Sequence, residues 1–272
     1  MGGAFVAIVD DANACYWNPA GLVQLKEREA TFMRTRPFNI QEIRIDYLAY
    51  CQPVGRGHGT GISWIHKGAL LEEGEDGTTS QMREDTYALS YGFSIMPSLS
   101  LGVNLKRLSI ESTVGSGAGF GLDAGMLFTP LNRLSLGLMV RNLSCVIKDE
   151  SFPATFRAGL GVNLFGGRVI LALDVNSKEG VNEKQRAYHS HLGVECRIGE
   201  LLRFLMDPDY QLSKEERDWL VDPLVVRMGI DRGNLSAGIG FRYKMIRIDY
   251  AYSNERRYAL NYTHRYSMSI RF

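Results

Sequence analysis

The sequence predicts an all-β protein: an up-and-down antiparallel transmembrane β-barrel of about fourteen strands, with a short helical N-terminal plug and a small helical insertion. Three observations carry this expectation. Large apolar residues recur at every second position in segment after segment, and the positions between them are small, polar or charged. The connections between these segments also alternate between short and long. A half-buried strand has a side-chain period of two, and a lipid-facing strand carries its apolar residues outward.

The clearest segment is Tyr87–Leu105, a run of 19 uncharged residues that is long enough to cross a bilayer as a helix. Its internal pattern excludes that. Tyr87, Leu89, Tyr91, Phe93 and Ile95 alternate with Ala88, Ser90, Gly92 and Ser94; Met96-Pro97 then interrupts, and Leu99, Leu101, Val103 and Leu105 alternate again. That is two strands and a tight turn. The same alternation appears at Phe120–Phe128, Leu134–Val140, Phe156–Val162, Leu235–Phe241 and Ile246–Tyr252. A soluble sheet would place long Lys and Glu side chains on its polar face. Here that face is mostly Gly, Ser and Asn with isolated Arg and Asp, as in a crowded lumen, and 29 glycines in 272 residues supply the small side chains.

Taken in order, the expected strands are 28–36, 42–52, 58–67, 84–95, 98–110, 118–129, 132–143, 153–164, 167–176, 186–197, 223–231, 234–243, 245–253 and 262–272. Most are near the 9–11 residues that a tilted strand needs to cross a bilayer. Short turns at Pro53–Gly57, Met96-Pro97, Pro130-Leu131, Phe165-Gly166 and Lys244 fall on the side holding both chain ends. Longer polar connections at 68–83, 111–117, 144–152, 177–185 and 254–261 fall on the other. This asymmetry is the habit of outer-membrane barrels, with both termini in the periplasm. One short-side connection departs from it. Residues 199–222 carry Leu201, Leu202 and Phe204, a stop at Asp207-Pro208, and a capping-box start at Ser213 and Glu216 leading to Trp219. A helical insertion with exposed Leu201, Phe204 and Trp219 suits docking of a periplasmic partner as well as packing under the rim.

Several classes of function are excluded or disfavoured. A net charge of +1 lacks the basic excess of a nucleic-acid binder, and 45% hydrophobic content excludes global disorder. The four cysteines, Cys15, Cys51, Cys145 and Cys196, have no CxxC spacing and read as small buried or lipid-facing hydrophobes. His189, His191 and Glu195 share a strand face, but Glu195 is too far along an extended chain for one metal ion. No catalytic constellation and no cofactor motif stands out. Arg141, Arg157, Arg227 and Arg242 with Asp123, Asp174 and Asp249 read as a lumenal charge network.

The two chain ends carry a specific pattern. Residues 2–22, GGAFVAIVDDANACYWNPAGL, resemble the N-terminal hatch of FadL-like outer-membrane proteins, and most closely their PorV/PorQ branch with its GGAF-type start and YWNPAGL. The ending, from Ile248 to Phe272, is similar to the same branch. Tyr266, Met268, Ile270 and Phe272 at alternate positions resemble the signal read by the barrel-assembly machinery. The resemblance implies a plug over residues 1–27 within a barrel over 28–272, and an upstream export signal before a start that lies inside the family's pattern. It places Asn18, Pro19, Ala20 and Gly21 next to any ligand. It also points to a lateral gate in the third strand, where Gly57, Gly59 and Gly61 permit a kink, unless these glycines only admit the plug. Asp10 or Asp11 is expected to cap a short helix that Asn18-Pro19 ends.

Two functions follow from the resemblance: a partner-binding subunit of a type IX-like secretion or surface-attachment assembly, or a FadL-like channel for fatty acids or other hydrophobic molecules. If the terminal signal is right, Phe272→Asp removes most of the protein from the outer-membrane fraction, measured by heat-modifiable mobility on gels; unchanged membrane levels contradict it.

Overall fold

The computed structural model describes residues 1–73, 78–113, 115–147, 150–179, 186–199, 224–254 and 262–272. It contains fifteen strands: β1 (Glu29–Arg36), β2 (Ile43–Pro53), β3 (His58–Glu73), β4 (Thr78–Met96), β5 (Leu99–Ser112), β6 (Gly115–Leu131), β7 (Leu134–Ile147), β8 (Glu150–Ser151), β9 (Thr155–Leu164), β10 (Val169–Glu179), β11 (Arg186–Arg197), β12 (Leu224–Asp231), β13 (Asn234–Tyr243), β14 (Ile246–Asn254) and β15 (Tyr262–Arg271). All but β8 form one closed antiparallel ring, so the barrel has fourteen strands; the two-residue β8 folds back on β7. The seam joins β1 to β15 from Glu29↔Arg271 to Arg36↔His264. Closure gives each of the fourteen ring strands a partner on both sides, the condition for a sheet to stand in hydrocarbon.

The wall is inverted relative to a soluble protein. Leu89, Leu105 and Leu173 are exposed on the outside, while their neighbours Ser90, Asn104 and Asp174 are buried within. Leaving such side chains in water forfeits about 1.5–3 kcal/mol each, so the outer surface calls for lipid. No helix among the described residues is long and apolar enough to cross a membrane, which says nothing of a β-barrel. Tyr87–Leu105 is the β4–β5 hairpin, as its alternation predicts.

The expected loop at 68–83 is a difference. β3 and β4 stay paired from His58↔Phe93 to Glu73↔Thr78, so that much of the loop is ladder. A cross-strand His66–Asp85 hydrogen bond (2.9 Å) and the Lys67–Glu84 ion pair (2.7 Å) begin this polar stretch. Where both faces of a hairpin meet water the hydrophobic alternation vanishes, although the backbone ladder needs no apolar side chain. For the same reason the 111–117 connection shrinks to the gap between Ser112 and Gly115. The expected insertion at 199–222, with Leu201, Phe204 and Trp219, lies outside the described residues apart from Gly199.

Inside the ring lies the N-terminal segment: α1 (Ala14–Trp17), then a 3-10 turn over Pro19–Gln24. It sits where the wall has no side chains. Gly59, Gly92, Gly102 and Gly125 are successive cross-strand partners on β3 to β6. A Cβ on them would come within 2.1–2.5 Å of Leu22, Pro19, Ala20 and Asn18 respectively. On the opposite wall, Gly161, Ala172, Gly193 and Gly229 form a second row across β9 to β12. There a Cβ at Gly161 would meet Ile8, and one at Gly193 or Gly229 would meet Met1 or Gly2. Gly137 and Gly159, paired across β7 and β9, press on Val6 and Ala7.

Gly102→Val would drive a side chain into the Ala20 amide. Overpacking of this kind typically costs about 1–3 kcal/mol. The variant is expected to unfold at lower denaturant and to be cut faster by trypsin at the exposed Lys26–Arg28 than the outward-facing control Leu105→Val; equal behaviour contradicts the packing.

Candidate functional site: the filled lumen

The segment is held by polar side chains that the alternation turns inward. On β10, Asp174 accepts the amides of Phe5 (2.9 Å) and Val6 (3.1 Å). On β5, Asn104 donates to the Cys15 carbonyl (2.9 Å) and to Asp123 (3.2 Å). On β14, Arg247 pairs with Asp11 (2.9 Å) and with Asp249 (2.8 Å), and Asp249 pairs with Arg227 (2.6 Å), which pairs with Glu195 (2.7 Å). Arg157 donates to the Gly3 carbonyl (3.1 Å), and Arg141 to the Tyr16 carbonyl. The lumenal charge network read from the sequence is thus largely an anchor for the segment. Arg247, which pairs with Asp11 of the segment, lay outside the set singled out there.

Asp11 does not cap α1. Asn13 stands at the cap position without a side-chain hydrogen bond to the helix, and Asp11 instead accepts Asn13's amide (3.0 Å) and side chain (2.9 Å) while facing Arg247. Burial alone would raise the Asp11 carboxyl; the Arg247 charge and hydrogen bond, with those from Asn13, hold it below the usual carboxylate range. A four-residue helix needs its cap less than a buried carboxylate needs a counter-charge.

Asn18, Pro19, Ala20 and Gly21 are all buried. Asn18 accepts the Ala20 amide (3.1 Å), capping the 3-10 turn that Pro19 starts, and donates to the carbonyls of Val6 and Met126 (3.0 Å each). A Cβ on Gly21 would be 2.4 Å from Val9, so glycine lets the segment fold on itself. These four residues build the segment's interior.

The surface open to the lumen is elsewhere. Arg141 lies four residues beyond Gly137 on β7, and Arg157 two before Gly159 on β9, so both stand toward the end of the barrel opposite the termini. The segment face turned that way is aromatic: Trp17 packs edge-on against Phe5 (5.9 Å) and Tyr16 (5.3 Å), and Tyr16 against Tyr47 (6.2 Å). Arg141 lies over the Tyr16 ring at 4.0 Å and Arg157 over Trp17 at 4.9 Å. Tyr16 still keeps 38% of its surface open. The sequence offered a signal in the adjacent Tyr16-Trp17, but nothing in it told which way they point.

β3 pairs without a register shift along β2 and β4. Gly57 is a turn residue at φ +73°, and Gly59 and Gly61 face the segment, a Cβ at Gly61 meeting Cys15 and Cys51. The packing at Gly59 and Gly61 favours the other reading of these glycines, space for the segment. The β6–β7 ladder carries a register shift, where pairing jumps from Leu122↔Ser144 to Ala124↔Val140. Asn142 has φ +55° at this bulge, its amide donates to Asp123 (2.9 Å), and Lys106 pairs with Asp123 (2.6 Å). On the outer face nearby, an apolar groove of about 520 Å³ runs from Leu48 past Ile62, Leu89 and Leu105 to Phe120 on β6.

The other sequence candidates lie apart from this surface. His191 contacts the Gly2 carbonyl (3.0 Å), Asn176 (3.1 Å) and Asp231 (3.0 Å), and Glu195 is paired with Arg227, so the histidine–glutamate trio is not gathered. Tyr266, Met268 and Phe272 are exposed on the outer wall and Ile270 half-buried, with Phe272 stacked on Tyr50.

No protein-family model and no curated protein matches the sequence. Solved structures do match along the whole chain. The toluene transporter TbuX of Ralstonia pickettii is similar with a TM-score of 0.70 at 12% identity, covering 100% of this chain and 96% of that one. The toluene transporter TodX of Pseudomonas putida gives 0.68 at 12%, covering 100% and 97%. A Pseudomonas aeruginosa FadL homologue gives 0.64 at 12%, covering 99% and 95%. At such identity the likeness is one of fold, a closed fourteen-stranded antiparallel barrel.

Arg141 brings the Tyr16 phenol down from 10.0 to about 8. Tyr16 therefore contributes stability that is fully present above pH 10 and is lost as pH falls through 8. A tyrosinate absorbance titration is expected to show one phenol ionising near pH 8, absent in Tyr16→Phe and moved upward in Arg141→Gln; a titration with no such component contradicts the contact.

Proposed function

We propose that the protein is an outer-membrane channel for small hydrophobic molecules, closed by residues 1–27 as a plug, with both termini in the periplasm. The observation that carries this reading is the aromatic surface of Phe5, Tyr16 and Trp17 inside an otherwise polar lumen. A purely structural filler would present polar groups to lumenal water, whereas an open aromatic face suits an apolar solute. The solved structures of similar fold include transporters of toluene, which favours the same reading. The interrupted β6–β7 ladder beside Arg141 is the natural lateral way out, and the groove ending at Phe120 a landing place on the lipid side. Insertion would use Tyr266, Met268, Ile270 and Phe272 as the signal to the assembly machinery.

The partner-binding reading of the PorV/PorQ type rests on the motifs at the chain ends and on Leu201, Phe204 and Trp219. Neither the lumen nor the similar folds add support to it, so it stands second.

The test uses the protein in lipid vesicles. Toluene is expected to change Trp17 emission saturably, an effect lost in Trp17→Phe and retained in Trp64→Phe. Deleting residues 1–21 is expected to raise dye leakage. No saturable change together with unchanged leakage overturns the reading; a stoichiometric protein partner recovered from native membrane would move it to the assembly class.

A further inference from the structure

We propose that Cys15 and Cys51 form a disulfide that fastens the N-terminal segment to the barrel wall. Their sulfurs lie 3.2 Å apart, one on α1 of the segment and the other on β2. A bonded pair sits at about 2.05 Å, so a small side-chain rotation separates the two states. The neighbourhood makes room for both atoms. Gly61 on β3 faces the pair, and a Cβ there would stand 2.5 Å from the Cys15 sulfur and 2.6 Å from that of Cys51. The backbone about the pair is fixed on both sides: Tyr47 Oη donates to the Ala12 carbonyl (3.1 Å) and Asn104 to the Cys15 carbonyl (2.9 Å). The other two cysteines, Cys145 and Cys196, lie on β7 and β11, away from α1.

The chemistry is thiol–disulfide exchange with a disulfide-bearing oxidant, a small-molecule or protein disulfide of an oxidising compartment. The Cys15 thiol loses its proton and attacks one sulfur of the donor, breaking the donor's S–S bond and releasing one donor thiol. Cys51 then loses its proton and attacks the Cys15 sulfur, forming the new S–S bond and expelling the second donor thiol. Two cysteine thiols are oxidised and one donor disulfide is reduced to two thiols. Both sulfurs are buried once the segment is seated, so the exchange belongs to assembly and the finished bond is shielded from reductants.

The inference depends on where the segment lies and is independent of what the barrel passes. Its test reads a mass. The full-length protein is refolded from denaturant into lipid vesicles in the presence of oxidised glutathione, so that the segment seats under oxidation, then unfolded with an alkylating agent to trap remaining thiols and digested with trypsin. The expected product is the peptide ending at Lys26 joined to the peptide Ile45–Arg56, separating on reduction, with Cys145 and Cys196 alkylated. In Cys51→Ala the linked product should vanish and Cys15 should be recovered alkylated or as a glutathione adduct. Recovery of both Cys15 and Cys51 alkylated in the oxidised wild type, or Cys15 joined to Cys145 or Cys196, overturns the proposal.

Discussion

The interior of this barrel depends on how closely one backbone can approach another. Along Gly59, Gly92, Gly102 and Gly125, and again along Gly161, Gly193 and Gly229, the wall offers bare backbone to the N-terminal segment at distances no side chain would allow. Glycine in a strand ordinarily weakens it, by the loss of packing and the entropy of its freer backbone. Here the weakening is offset by what the space admits: a folded segment whose Val9, Ala12, Leu22 and Leu25 pack with Tyr47, Ala49 and Cys51 of β2 in an apolar cluster.

Polar anchors decide where the segment sits more than how stable it is. Hydrogen bonds to charged groups contribute about 1.5–3 kcal/mol each, but breaking a buried pair by removing one partner costs about 3–5 kcal/mol, because the stranded charge has no water. Asp174, with two segment amides as donors, and Arg247, shared between Asp11 and Asp249, therefore exclude alternative placements strongly while adding modest net stability. The apolar cluster supplies attraction; the charges supply position.

The same balance bears on movement. Opening β3 sideways would break a ladder paired on both edges, and in hydrocarbon each unpaired backbone group costs several kcal/mol. At the β6–β7 bulge the ladder is already interrupted and Asp123 covers the gap by accepting the Asn142 amide. The segment itself is bound by side chains and packing, with no strand of its own in the wall. Relative to the wall it is the easier unit to displace, and a covalent link from Cys15 to Cys51 would change that.

Alternation along the chain was enough to specify the strands, their number, their outward-facing apolar residues and the small inward positions, because a side chain's choice of face is a local, period-two property. Asn18-Pro19 likewise announced its turn, since proline fixes its own dihedral angle. The polar β3–β4 extension escaped this reading, for a ladder in water has no apolar stripe to reveal it. Cysteines 36 residues apart, the aromatic face of Phe5, Tyr16 and Trp17, and the grip of Arg247 on Asp11 across most of the chain were settled only by ring closure. Closure makes neighbours of residues remote in sequence, and the contacts between a segment and the ring around it belong to no single stretch of either.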